Sequence, residues 1–316
     1  MALPVVLPLA APPRSRSADR IGRAGEATYA ALVLSPPAGS VRGVRVLGPS
    51  DLDRTRRLLD RDPVTHVFVA DRVETTRLDA RWLGGRVYGF VEDGRLTAAC
   101  HHAANLVPVD AHPDAVQAFA ERALEDGRSC ASLFGPQDEV LAMWDVLSPS
   151  WGPARSLRPD QPFMVATAPP AVPHDPHVRR VRMDEIDVLY PASVAMFLEE
   201  VGVSPEENGP EVYRARVASL IAQGRVFARI EDGRVLFKAE IGSKTAQACQ
   251  LQGVYVDREH RGRGLGTAGV ATVVRDVLAE GMPAITLYVN ADNEPAQRAY
   301  QRAGFRRTRL FASVLL

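Results

Sequence analysis

One stretch of the sequence, Val256-Asp-Arg-Glu-His-Arg-Gly-Arg-Gly-Leu-Gly266, indicates the end of a strand, a polar turn, a glycine-rich loop and the start of a helix. Glycine lacks a Cβ atom, so a ligand can approach this backbone closely. The first N–H groups of a helix point at a common centre, and the helix dipole favours negative charge there. Arginine can add charge-assisted bonds to phosphate oxygens, so the loop is predicted to bind a pyrophosphate. Its glycines are Gly262, Gly264 and Gly266, and its arginines are Arg261 and Arg263.

Two other phosphate-binding motifs compete with this interpretation. A Walker loop ends in Gly-Lys followed by Ser or Thr, and this loop does not. The dinucleotide fingerprint has a literal match in Gly264-Leu-Gly-Thr-Ala-Gly269, with Asp292 near the position of a ribose-binding acid. However, Asp257 to Arg261 separate the strand from the loop, whereas the dinucleotide-binding turn is tighter. We also expect too little chain after the loop to build a doubly wound sheet.

The elements around the loop alternate between strand and helix. Apolar residues of the segment after the loop recur at i, i+3, i+4, i+7 and i+8, which is the period of a helix. Asn293 is a plausible N-cap for the following short helix, since a proline and a glycine mark its two ends. The predicted elements are a strand at Gln250–Val256, a helix at Leu265–Glu280, a strand at Ala284–Val289, a helix at Glu294–Ala303 and one or more strands in Phe305–Leu316.

The chain contains two copies of one pattern. Gly85–Leu96 matches Gly224–Val235, and both segments predict a hairpin around an Asp-Gly turn. A strand followed by a helix start precedes each hairpin, which favours an internal repeat. Clustered prolines indicate flexible segments at two places. The predicted organisation is a disordered tail at 1–43, a first unit at 44–168, a linker at 169–177 and a second unit at 178–316.

The motifs of the second unit resemble those of a known family. Arg261-x-x-Gly264-x-Gly266 resembles the coenzyme A pyrophosphate loop of the GNAT superfamily of N-acetyltransferases. Asn290–Phe305 resembles its other hallmark, an Asn followed by Ala-x-x-x-x-Gly-Phe with a Tyr inside. The first unit lacks the loop, so the layout resembles tandem GNAT proteins with a degenerate N-terminal unit. The resemblance implies an α/β (α+β) fold of two GNAT-like units, each a mixed, mostly antiparallel twisted sheet flanked by helices.

The resemblance also implies a reaction, the transfer of an acetyl group from acetyl-CoA to a primary amine by direct attack. In the family, the strand before the loop binds the pantetheine arm and the thioester carbonyl through its backbone. Tyr300 would protonate the departing thiolate, although an aromatic packing residue is the alternative for that position. The implied cofactor-binding residues are Val254, Tyr255, Val256, Arg261, Gly262, Arg263, Gly264, Leu265, Gly266, Thr267 and Asn293.

The general base is less clearly marked. Many family members carry a glutamate on the strand before the loop, where this chain has Gln250 and Gln252. We predict Glu240, on the preceding strand, as the base. Glu199 and Glu200 are the alternatives, and their place in the fold more often lines an acceptor site. Without a base, the protein would be a sensor that binds acyl-CoA without turnover.

Composition excludes several other classes. The 38 lysines and arginines balance 38 aspartates and glutamates, so no basic surface favours nucleic acid as a partner. The three cysteines are scattered and the histidines are not clustered, so neither a disulfide framework nor a metal site is expected. No apolar run reaches the roughly 18 residues of a membrane span. We expect a cytoplasmic enzyme without a metal, whose partner is a small-molecule or peptide amine.

Overall fold

The computed structural model describes residues 42–207 and 209–316. Within them, one mixed sheet of twelve strands runs through the molecule. All strand pairs are antiparallel except β4–β5 and β10–β11. The strands are β1 (Arg42–Leu47), β2 (Arg86–Glu92), β3 (Arg95–His102), β4 (Asn105–Val109), β5 (Ser132–Pro136), β6 (Ser156–Ala166), β7 (Arg179–Arg180), β8 (Val226–Glu231), β9 (Arg234–Lys244), β10 (Cys249–Val256), β11 (Ile285–Tyr288) and β12 (Arg306–Leu315).

Helices cover both faces of this sheet. On the face of the second repeat that carries α8 and α9, the core contains Phe237, Val270, Val273 and Ile285. The opposite face of the same strands packs against α6 and α7. The helices are α1 (Leu52–Leu59), α2 (Val67–Thr76), α3 (Ala80–Leu83), α4 (Pro113–Asp126), α5 (Gln137–Trp151), α6 (Ile186–Val201), α7 (Pro210–Ala222), α8 (Leu265–Ala279) and α9 (Glu294–Arg302).

The predicted repeat is visible in the order of the elements. Strands β1 to β6, with α4 and α5, recur as β7 to β12, with α8 and α9. Both predicted hairpins are present, as β2–β3 and β8–β9. Their turns place Asp93, Gly94, Asp232 and Gly233 at φ between 47° and 77°. Positive φ at two successive residues matches the twist of a hairpin, and Asp-Gly tolerates it.

The two repeats exchange their last strands. The sheet order in the middle is β5-β12-β6-β11, so β6 of the first repeat pairs with β11 of the second. Conversely, β12 of the second repeat pairs with β5 of the first, and β6 and β12 pair with each other along their length. A residue on β6 therefore lies beside the strands of the second repeat. This exchange brings the first repeat to the candidate site described below.

The predicted fold class is confirmed, and the doubly wound alternative fails because the sheet is mostly antiparallel. Element bounds agree with the predictions to within one residue for the helices after Gly264 and for β10 and β11. The predicted tail, 1–43, lies outside the described residues except for its last two, which begin β1. Among the described residues, no helix is both long and apolar enough to cross a membrane.

Candidate active site

A cleft opens where β10 separates from β11. These two parallel strands pair only at Cys249–Ile285 and Gln250–Thr286, and then diverge. On its other side, β10 changes register against β9 between Gln252 and Tyr255. Gly253 has a φ of 58° at this irregularity, a conformation that favours glycine. The divergence leaves a cleft of about 710 Å³ between β10, α8 and α9.

The glycine-rich loop forms one end of the cleft. Gly262 and Gly264 have φ values of 75° and 83°, so the loop follows a path that other residues adopt only with strain. Gly264 is the N-cap of α8, and no side chain caps the first turn of this helix. Gly266 lies so close to β10 that a Cβ atom there would be 3.3 Å from the Val256 side chain. The N–H groups at the start of α8 therefore face the cleft without a side chain in front of them, as an anion site requires.

Arg261 connects this loop to α6. Its Nε donates to the carbonyl oxygen of Val256 at 3.0 Å, and its Nη2 lies 2.7 Å from Glu199 Oε2. Arg258 makes a second ion pair with the same carboxylate at 2.7 Å. The carboxylate of Glu199 therefore pairs with two arginines of the loop. These ion pairs hold the guanidinium of Arg261 at the cleft. Arg263 is exposed and does not line the cleft.

Tyr300 lies on α9 at the opposite wall. The side chain of Asn293 accepts a hydrogen bond from Ala296 N at 3.2 Å, so the predicted N-cap of this helix is confirmed. Tyr300 is only 1% exposed, yet it lines the cleft. Burial raises the pKa of Tyr300 far above its usual value, and the negative charge of Glu200 raises it further. The hydroxyl of Tyr300 therefore holds its proton more strongly than that of an exposed tyrosine.

Glu200, at the end of α6, lines the same cleft. Its Oε1 is 2.6 Å from Arg158 Nη1, and Asn290 Nδ2 donates to the same oxygen at 3.4 Å. Burial raises the pKa of Glu200 despite the attraction of Arg158. A carboxyl group with a raised pKa in a cleft is suited to take up a proton near neutral pH.

Glu240 lies elsewhere. It points to the α6–α7 face of the sheet, is 1% exposed and does not line the cleft. Its Oε1 is 2.6 Å from Nζ of Lys238, which is equally buried. Burial raises the pKa of Glu240, but Lys238 and Arg216 lower it by more, so the net direction is downward. The structure thus shows a buried ion pair at this position rather than a carboxylate facing the cleft.

The cleft brings most of the predicted residues together. Those that line it are Val254, Tyr255, Val256, Arg261, Gly262, Gly264, Leu265, Gly266, Thr267, Asn293 and Tyr300. Residues that sequence reasoning did not assign also line it, namely His260, Asn290, Asp292, Arg298 and Arg302. Asn290 had a usable signal, since it opens the second family motif. In the described part of the chain, no group of three or more His, Cys, Asp or Glu side chains is arranged to hold a metal ion.

Comparison with known proteins gives two family matches. The family described as "Acetyltransferase (GNAT) family" matches residues 196–305, and a "Domain of unknown function (DUF4081)" matches residues 85–189. A mycothiol acetyltransferase of Clavibacter michiganensis is 37% identical over 81 residues, 26% of each chain. One of Corynebacterium aurimucosum is 43% identical over 47 residues, 15% of this chain and 16% of that one. The matches thus span about a quarter or less of these relatives' lengths.

Solved structures share the fold over most of the chain. A GCN5-related N-acetyltransferase from Sphaerobacter thermophilus has a TM-score of 0.60 at 20% identity, with 86% of this chain and 94% of that chain covered. A tandem GNAT protein from the clavulanic acid biosynthesis pathway has a TM-score of 0.52 at 16% identity, with 86% and 98% covered. Residues 196–305 therefore carry a domain that matches the acetyltransferase (GNAT) family, and the chain as a whole shares the fold of solved tandem GNAT structures.

Proposed function

We propose that this enzyme transfers the acetyl group of acetyl-CoA to a primary amine of a small molecule or peptide. The observation that carries the proposal is the cleft at the divergence of β10 and β11, with an uncapped helix start at one end and Tyr300 at the other. The helix start is suited to the pyrophosphate of coenzyme A. The unpaired edge of β10 offers backbone groups to the pantetheine arm and to the thioester oxygen, where a donor would stabilise the tetrahedral oxyanion.

One carboxyl group and one hydroxyl group support the proton transfers. The amine nitrogen attacks the thioester carbon, the C–S bond breaks, and the nitrogen loses a proton. We assign uptake of that proton to Glu200, because it lines the cleft and Glu240 does not. Tyr300 gives its proton to the departing sulfur. The negative charge of Glu200 disfavours ionisation of Tyr300, so the two groups are kept in different protonation states, as expected of an acid–base pair.

The direct test is release of coenzyme A thiol from acetyl-CoA in the presence of a panel of primary amines. We expect thiol release that depends on the amine, and mass spectrometry should find a gain of one acetyl group on the accepted amine. Glu200→Gln should lower kcat by about 10²-fold or more, whereas Glu240→Gln should leave the acid limb of the pH profile in place. Tight binding of acetyl-CoA without turnover against any amine would replace the enzyme with an acyl-CoA sensor.

A further inference from the structure

We infer that the first repeat completes the active site of the second through the exchanged strand β6, with Arg158 as a positioning residue for Glu200. This inference rests on the proposed function and adds a role for the first repeat in the site of the second. It assigns function to a residue 42 positions before Glu200 in the chain, in the other repeat.

Arg158 holds the end of α6 at two points. Its Nη1 donates to Glu200 Oε1 at 2.6 Å, and its Nη2 donates to the Glu200 backbone oxygen at 2.6 Å. The guanidinium is planar and its donors are fixed relative to each other, so two bonds restrict both the position and the rotation of the carboxylate. Both side chains are largely buried, at 17% and 11% exposure, so solvent screens the pair only partly.

A second residue of β6 supports the same site. Gln161 Nε2 donates to Asn290 Oδ1 at 2.7 Å, and Asn290 in turn donates to Glu200 Oε1. The other end of the Gln161 amide accepts from Ser313 Oγ at 2.6 Å, which fixes the orientation of the amide. A continuous set of hydrogen bonds therefore runs from β12 through β6 to the carboxylate. Because the last strands are exchanged, β6 lies beside β11. This places Arg158 near the end of α6 and Gln161 near Asn290, just after β11.

The charges around Glu200 set the direction of the expected effect. Arg158 faces it from β6, Tyr288 from β11 and Tyr300 from α9, and Glu199 adjoins it on α6. Arg158 bonds directly to its carboxylate. A neighbouring positive charge favours the ionised form of a carboxyl group and lowers its pKa. Loss of Arg158 must therefore raise the pKa of Glu200 further, and a base with a higher pKa is protonated over more of the pH range.

The test compares Arg158→Met with a matched control, Arg155→Met. Arg155 also holds the end of α6, because its Nη1 donates to the Val201 backbone oxygen at 3.2 Å, but it does not bond the Glu200 carboxylate. The acid limb of the kcat profile, measured with one amine for all variants, should move upward by about one pH unit in Arg158→Met. It should stay in place in Arg155→Met. Arg158→Lys keeps the positive charge, so its acid limb should lie close to that of the wild type.

A second readout does not depend on turnover. Carbon-13 NMR of protein labelled at the glutamate side-chain carboxyl, with the signal assigned by its loss in Glu200→Gln, reports the pKa of Glu200 directly. The inference predicts a higher pKa in Arg158→Met than in wild type and Arg155→Met. An unchanged Glu200 pKa in a folded Arg158→Met protein would overturn the inference even if the wild type is an active acetyltransferase. Absence of amine-dependent thiol release in the wild type, with the pKa shift present, would count against the proposed function alone.

Discussion

Both repeats have a gap in the sheet where two parallel strands diverge, but the gap is open in the second repeat and filled in the first. In both repeats, the parallel pair β4–β5 or β10–β11 holds together at only two residue pairs before the strands diverge. In the second repeat, the divergence leaves a cleft of about 710 Å³. In the first repeat, the cavity at this place measures about 10 Å³, enough for roughly one water molecule. Its walls include Phe68, Phe134, Phe311 and Pro108.

The loop between the first strand of the parallel pair and the next helix is also longer in the second repeat. Eight residues, 257–264, connect β10 to α8, whereas three residues, 110–112, connect β4 to α4. Helix α4 begins at Pro113, which has no N–H to offer. Glu139 Oε2 accepts a hydrogen bond from Ala111 N at 3.1 Å, so a carboxylate of the chain itself lies at this helix start. The first repeat thus keeps the geometry of the strands, and a side chain of the chain itself bonds the backbone just before α4.

This contrast explains how a repeat can lose its ligand and remain folded. A diverging strand pair exposes backbone groups and apolar side chains, and these need either a ligand or protein to cover them. In the first repeat, aromatic side chains and Glu139 provide that cover.

Gly264→Glu should abolish stabilisation by coenzyme A. Position 264 has a φ of 83°, and a carboxylate there would both strain the loop and repel phosphate. At a hundredfold excess over Kd, ligand binding stabilises a protein by about 2.7 kcal/mol, and thermal unfolding with and without coenzyme A measures this. The control is Gly94→Glu, a change of equal charge at a φ of 77° in the hairpin turn of the first repeat. If Gly264→Glu still responds to coenzyme A, the pyrophosphate site is elsewhere.

Tyr300→Phe should lower kcat by roughly 10²-fold, which corresponds to about 2.7 kcal/mol in the barrier. The ring remains, so its packing against Phe305 and the affinity for acetyl-CoA should change little. Tyr88→Phe removes the hydroxyl of a buried tyrosine in the first repeat and should leave kcat unchanged. Steady-state kinetics under conditions where chemistry limits the rate measures both. A normal kcat in Tyr300→Phe would leave this residue with a packing role only.

Glu139→Gln should change the pH dependence of stability. Burial raises the pKa of Glu139 to about 7, so the folded protein binds a proton there that the unfolded chain releases. The free energy of unfolding therefore falls as the pH rises from the unfolded pKa of Glu139 through about 7. Allowing for the partial exposure of the side chain, Glu139→Gln should increase the free energy of unfolding at pH 8 by about 1–2 kcal/mol relative to its effect at pH 5.

Denaturant unfolding at the two pH values measures the effect of Glu139→Gln. The control is Glu294→Gln in the second repeat, which changes an exposed acid at the start of α9 and should leave the pH dependence as it is. If the free energy of unfolding depends on pH equally in the wild type and in Glu139→Gln, the fold does not raise the pKa of this carboxyl group.

Local patterns predicted the second repeat well. Gly264 as a helix start, Asn293 as an N-cap and the Asp-Gly turns each depend on residues within one turn of chain. The ion pair of Lys238 with Glu240 also had a local signal. Residues two apart on a strand share a face, so a lysine and a glutamate in Lys-Ala-Glu could have been expected to pair rather than to leave the glutamate free.

The strand exchange and the partners of Glu200 had no such signal. The periodicity of β6 predicts a strand but not which strand it pairs with, because pairing depends on residues far along the chain. Arg158 and Gln161 meet Glu200 and Asn290 at separations of 42 and 129 residues. Nothing in the first repeat marks Arg158 as different from the other arginines of an arginine-rich chain. The filling of the first gap by Phe311 of the second repeat is equally non-local.

The most direct measurement of the central contrast is calorimetric titration of the full chain with coenzyme A. We expect one binding site per chain, and no detectable binding in Gly264→Glu. Two sites per chain would contradict this expectation, because the first repeat would then bind the ligand despite its filled gap. One site that persists in Gly264→Glu would contradict it as well, since binding would then not use the loop at the start of α8.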